Sequence, residues 1–221
     1  RGIEVAHTPG VLTDATADLA FALILSVGRR IVESDQFVRS GQWEGWGPTL
    51  MRGLEMRDSV LGIVGRGRIG SAVEHRAEAF GMRVHHHNRS SGVSLDEVIE
   101  ESDVISLHCP LTPDTQHLID EDAFRRMKSS AILINTSRGS VVDEAALVRA
   151  LETNQIAGAG LDVFEEEPRI HPGLLRSDKV VLLPHIGSAT WRTRKVMADM
   201  CARNLIAGLN NQPIPNRVQT L

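Results

Sequence analysis

The sequence predicts an α/β protein built on a doubly wound parallel sheet. Three observations carry that prediction. Beyond residue 58, short runs that are almost wholly apolar alternate with amphipathic segments. Those runs lack the in–out alternation of a half-exposed strand, so both faces of the sheet must be covered. A glycine-rich turn then joins the first run to a helical segment.

The first segment, residues 1–9, alternates Ile3 and Val5 with polar residues, like a strand entering a turn. It has neither an initiator Met nor signal-peptide grammar, so residue 1 reads as the interior of a longer parent chain. From Thr13 the pattern becomes helical. Thr13 or Asp14 is expected to cap it, and Ala17, Leu19, Ala20, Leu23, Ile24 and Val27 form an apolar surface nearly all round. Residues 41–48 read as an irregular arm carrying Trp43 and Trp46, either packed on the loop itself or held for a subunit contact. Strands are expected at 60–64, 83–87, 104–108, 131–135, 157–163 and 179–183. Between them, helices are expected at 69–80, at 94–101 behind a capping box from Ser94 to Glu97, at 120–127, and from Asp143 to about 154. A last long helix runs from about 189 to 206 and closes near Gly208.

Composition excludes several functions. The net charge of −4 offers no basic excess for a nucleic-acid backbone. Aromatic residues make up 4% of the chain with no Tyr, which argues against base-stacking platforms. The longest apolar stretch, residues 15–27, is broken by Asp18 and Ser26 and is too short to cross a bilayer. Cys109 and Cys201 are too few and too far apart for a disulfide scaffold or a cysteine zinc site, so a reduced, cytoplasmic protein is expected. His85, His86 and His87 would alternate faces of a strand, so no metal is expected there.

Gly65-Arg66-Gly67-Arg68-Ile69-Gly70 follows an apolar strand and opens a helix. In that context G-x-G-x-x-G is a dinucleotide site of the Rossmann type. Gly65 makes the tight turn, Gly67 admits a pyrophosphate and Gly70 lets helix and strand pack closely, with the helix N-terminus facing the phosphates. An NAD site places an acidic residue at the end of the second strand, but Asn88 stands there, followed by Arg89 and Ser90. Asn88 does not repel a 2′-phosphate and Arg89 can pair with one, so NADP(H) is preferred and NAD(H) remains open. Three polar groups follow later strands: Arg138, Asp162 with an acidic run beyond it, and His185. Arg, carboxylate and His at successive strand ends suit hydride transfer to a keto acid. Arg fixes the anion, His moves the proton and the carboxylate orients His.

The chain resembles the D-isomer-specific 2-hydroxyacid dehydrogenases, closest to the glyoxylate/hydroxypyruvate reductase branch. The resemblance rests on residues 8–19, 61–70, His108-Cys109-Pro110-Leu111-Thr112, 135–139, 160–164 with Glu167-Pro168, and 184–190. It implies Arg138, Glu167 and His185 as the catalytic trio, selecting Glu167 from the run Glu165 to Glu167. It implies Asp162 against the nicotinamide carboxamide, with Thr136 and the Cys109-Pro110-Leu111 turn lining the ring pocket, and His185 and Gly187 also at the cofactor. Cys109 is then a pocket wall, since its neighbours offer nothing to activate a thiol. Residues 10–188 would be the dinucleotide-binding domain. Residues 1–9 and 189–221 would be the C-terminal part of a flavodoxin-like substrate domain whose other part lies upstream. A homodimer and a small 2-keto or 2-hydroxy acid as substrate are further implications. The segment from Arg89 to Leu95 is shorter than is usual in the family. Three other readings stay open: an NAD-dependent dehydrogenase of a different small acid, such as a phosphonate; a dinucleotide sensor without catalysis; and a dehydrogenase fragment that binds cofactor but does not turn over without the upstream part of its substrate domain.

Overall fold

The structure, a computed structural model, describes residues 3–218. Its centre is a seven-stranded sheet made of β1 (Val60–Val64), β2 (Arg83–Asn88), β3 (Ser91–Gly92), β4 (Val104–Leu107), β5 (Ile132–Asn135), β6 (Gly158–Leu161) and β7 (Val180–Leu182). The spatial order is β3-β2-β1-β4-β5-β6-β7. Every pairing is parallel except that of β3 on β2. All residues of β1, β4, β5 and β6 are buried, as their near-continuous apolar sequences require.

Helices cover both faces. On one side lie α1 (Thr13–Gly28) and α3 (Arg68–Ala79), whose Ala17, Ala20, Leu23, Ile24 and Val73 pack with Leu61, Ile63, Ile132 and Ile134. On the other lie α4 (Leu95–Glu101), α5 (Glu121–Arg126) and α6 (Glu144–Glu152). They enclose a larger cluster around Phe124, Leu107, Leu133 and Leu147. Reversal of strand order between β1 and β4 opens a crevice at the carboxyl ends of the strands, where such sheets bind ligands.

Ser94 and Asp143 cap α4 and α6 as the sequence suggests, and Asp120 caps α5 in the same way, each accepting from the amide three residues on. The expected cap of α1 does not form. Leu12 occupies the cap position and no side chain closes it, because Thr13 is already helical and its hydroxyl donates to the Gly10 carbonyl. Three short elements carry no clear signal in the sequence. Helix α2 (Ile31–Arg39) starts from a left-handed Arg30 and buries no residue, so no core-facing stripe marks it. The strand β3 is defined only by pairing, and α7 (Pro172–Arg176) spans one turn.

Trp46 is exposed, and Trp43, also exposed, donates its Nε1–H to the Gly45 carbonyl at 2.8 Å within the arm. The final helix α8 (Trp191–Leu209) runs three residues past the expected 206. Its Asn204 side chain donates to the His7 carbonyl, and Ala6 bridges Arg217, so the two ends of the described chain hold each other.

Candidate active site

The carboxyl ends of the six parallel strands line the crevice. After β1, the glycine loop turns with Gly65 at φ +95°, where an added Cβ would lie 2.6 Å from the Cys109 nitrogen. A Cβ on Gly70 would collide with the Gly65 carbonyl, so α3 can approach β1 only without a side chain there. Gly67 faces open space, and no side chain caps α3 at that residue. The loop thus presents bare backbone at the positive end of a 12-residue helix. Thr136 Oγ1 is buried without a hydrogen-bond partner among the described residues, a polar group that a bound ligand can satisfy. These features fit a dinucleotide.

At the end of β2, Asn88 is committed to the loop itself. Its Oδ1 accepts from Arg66 N at 2.6 Å and its Nδ2 reaches Ser91 Oγ at 3.5 Å. Arg89 projects outward and pairs with Asp114 at 3.1 Å, both side chains being about four-fifths exposed. Ser90 is exposed beside them, and the chain returns through a tight hairpin with Gly92 at φ +92°. That hairpin accommodates the short segment before Leu95.

After β5, Asn135 shapes the turn that presents Arg138. Its Oδ1 accepts from Ser137 N and Ser137 Oγ, and its Nδ2 donates to the Arg138 carbonyl at 2.9 Å. After β6, Asp162 is 1% exposed and accepts from Ile186 N at 2.7 Å and Gly187 N at 2.8 Å. Those two amides immediately follow His185, whose φ is +53°. Asp162 therefore anchors the loop that carries His185. Burial pushes the Asp162 carboxyl above its ordinary range, with the two amides opposing.

His185 Nδ1 lies 2.8 Å from Glu167 Oε2, while Glu167 Oε1 accepts from Phe164 N at 3.1 Å. The Glu167–Pro168 peptide is cis. Burial, the largest single influence on Glu167, pushes its carboxyl up. The His185 and Phe164 hydrogen bonds, with the charges of His185 and Arg138, outweigh burial and hold it below the usual 4.5. Arg138, Glu167 and His185 thus come together, with Arg138 exposed toward the crevice. Cys109 is buried, and burial raises its thiol, consistent with a wall rather than a nucleophile.

The sequence does not reveal how the loop bearing Glu167 is held. Glu144 and Glu165 cap each other's backbone: Glu144 N donates to Glu165 Oε1 at 2.8 Å, and Glu165 N to Glu144 Oε1 at 2.7 Å. His117 Nε2 approaches Glu165 Oε1 at 3.2 Å. The acidic run is visible in the sequence, but its division of labour is not.

A parallel sheet with a bare glycine loop and a His–carboxylate pair at its strand ends defines a dinucleotide-binding oxidoreductase domain. Comparison with known proteins specifies it further. Residues 21–187 match the family model described as D-isomer specific 2-hydroxyacid dehydrogenase, NAD binding domain. The chain belongs to that family of NAD(P)-dependent dehydrogenases. A glyoxylate reductase of Thermococcus litoralis is 52% identical over 233 residues, covering 99% of this chain and 70% of that protein. A glyoxylate reductase of Korarchaeum cryptofilum is 51% identical over 232 residues, with the same coverage. Among solved structures, the TT0316 protein of Thermus thermophilus superposes with a TM-score of 0.95 at 49% identity, covering 99% of this chain and 72% of that one. An NADPH-dependent glyoxylate/hydroxypyruvate reductase from Sinorhizobium meliloti, solved with NADP and malonate, gives 0.90 at 39% identity, covering 98% and 70%.

Proposed function

We propose that this protein is a glyoxylate/hydroxypyruvate reductase that uses NADPH to make a D-2-hydroxy acid. The observation that carries the reading is the 2.8 Å contact of His185 Nδ1 with Glu167, which leaves Nε2 as the proton donor. Gly65, Gly67, Arg68, Ile69 and Gly70 would hold the pyrophosphate. Arg89, with Ser90, would take the 2′-phosphate by exchanging Asp114 for it, while Asn88 braces the glycine loop. Cys109, Pro110, Thr136, Asp162 and Gly187 would surround the nicotinamide. When bound, the cofactor supplies a hydride to the keto carbon. Arg138 would hold the substrate carboxylate and polarise the keto oxygen. His185 would deliver its proton to that oxygen, with Glu167 facing the ring's charge and fixing its orientation. The two glyoxylate reductase relatives and the NADP-bound neighbour support the substrate and cofactor.

The same reading divides the chain into residues 10–188, which bind the dinucleotide, and residues 1–9 with 189–221, which belong to a substrate domain. The bridge of Ala6 to Arg217 supports that grouping. Exposed Trp43, Trp46, Ile31 and Val38 on α2 and its arm support a homodimer. Two unpaired cysteines support a cytoplasmic setting.

The test is initial-rate oxidation of NADPH and NADH with glyoxylate and with hydroxypyruvate, for the wild type and for His185→Ala. NADPH should be preferred. His185→Ala should cut turnover by about 10²-fold or more while leaving cofactor affinity nearly intact. Near-normal turnover in the variant would refute the acid role.

A further inference from the structure

We propose that His85, Glu97 and Glu101 form a binding site for one first-row divalent cation of the zinc type. It lies beneath α4, away from the strand ends that build the crevice. The sequence points away from a metal because His85, His86 and His87 alternate faces, and the structure keeps them apart. His87 Nδ1 is engaged by the Val93 carbonyl at 2.9 Å. His86 is the ladder partner of Ile63, whose side chain lies on the α1–α3 side. His85 is the ladder partner of Gly62 and so projects to the opposite face, toward α4.

There His85 meets two carboxylates of one helix face, because Glu97 and Glu101 are four residues apart. One ligand atom from each of the three residues falls within 4.8 Å of the others. His85 Nδ1 lies 3.6 Å from Glu101 Oε2, beyond hydrogen-bond length but close to the roughly 3.4 Å that separates two ligands of a tetrahedral zinc with bonds of about 2.1 Å. Glu97 has only to swing about its flexible stem to complete the set.

A second observation points independently to a missing ligand. His85 Nδ1 is buried and has no hydrogen-bond partner among the described residues, and the same holds for Ser102 Oγ at the C-terminal end of α4. A Cβ at Gly62, the ladder neighbour of His85, would collide with Ser102 Oγ, so that hydroxyl faces β1, one strand away from His85. Buried polar atoms are almost always satisfied, so an orphaned imidazole nitrogen beside two carboxylates marks a place for an ion or an ordered water. One imidazole with two carboxylates selects a borderline cation over magnesium or calcium, which want oxygen alone. A fourth position would be left for water. The ion would tie α4 to β2, the strand that ends at Asn88.

The experiment uses tag-free protein stripped with a chelator, then titrated with Zn²⁺ by calorimetry and with Co²⁺ by visible absorption. Wild type should bind one equivalent per chain, show ligand-field bands with Co²⁺, and unfold at a higher temperature when Zn²⁺ is present. His85→Gln and Glu101→Gln should each lose at least about tenfold in affinity, together with the bands, since losing even an outer-shell partner of a ligand costs about 10- to 100-fold. His86→Gln, altered on the other face, should bind as wild type does. Retention of wild-type affinity in His85→Gln overturns the site. So does displacement of Zn²⁺ by a tenfold excess of Mg²⁺, which would mark a carboxylate surface site without the histidine. Failure of wild type to bind one equivalent also overturns it and leaves His85 and Glu101 as an ion pair.

Discussion

Asp162→Asn isolates a single structural element of the active site. The carboxylate accepts two backbone amides, Ile186 N at 2.7 Å and Gly187 N at 2.8 Å, in a site that is 1% exposed. Hydrogen bonds to a charged group contribute about 1.5–3 kcal/mol each, so the pair is worth roughly 3–6 kcal/mol gross. Asparagine keeps one oxygen acceptor and turns its NH₂ toward a second amide donor. One bond is weakened to a neutral one, and the other becomes a buried donor facing a donor. Against this loss stands the burial that lifts the Asp162 carboxyl above 3.8, a cost that asparagine avoids. The net destabilisation at pH 7 should be about 2 kcal/mol, below that gross range because the desolvation that asparagine avoids is subtracted. Urea unfolding of the two proteins, with the slope unchanged, measures it directly. Turnover should fall about tenfold or more through misplacement of His185, which immediately precedes Ile186. A stability change below about 0.5 kcal/mol with unaltered turnover would show that the loop is held by something other than Asp162.

Three further outcomes follow from the geometry. Gly70→Ala places a Cβ against the Gly65 carbonyl and 3.1 Å from Ile63 Cγ2, so it should cost about 1–3 kcal/mol and weaken dinucleotide binding, read by thermal melting and fluorescence titration. Arg89→Ala should weaken NADPH much more than NADH while leaving stability unchanged, because its pair with Asp114 is solvent-exposed; equal loss for both cofactors would discard the 2′-phosphate role. Burial lowers His108 from 6.5 to about 4, so the fold holds it neutral where the unfolded chain would take up a proton. Its contribution is present above pH 6.5 and is lost as pH falls toward 4, at no more than about 1.4 kcal/mol per pH unit. His108→Gln should therefore flatten the stability profile in that window, measured by urea midpoints from pH 7 to 4.

Sequence alone determined the sheet and its ligand edge. Runs such as 60–64 and 131–135 are too uniformly apolar for a one-sided strand, and a glycine turn between strand and helix has few other uses. It also placed Arg138, Asp162 and His185 at strand ends, since position along the chain fixes which end of a parallel strand a residue occupies. Helix α2 escaped it because none of that helix is buried, and β3 because a two-residue strand exists only through its partner.

The tertiary structure decided which polar group meets which, because such contacts join residues far apart in the chain. Asp162 reaches amides 24 and 25 residues away, Asn88 reaches back 22 residues to Arg66, and Glu165 and Glu144 cap each other across 21. His85 finds its carboxylates only because strand alternation turns it, and not His86, toward α4. Hydrophobic pattern is a local property with a fixed period and can be read along the chain. Partner choice is set by where the packed elements bring distant side chains, and that is fixed only once the sheet and its helices have closed.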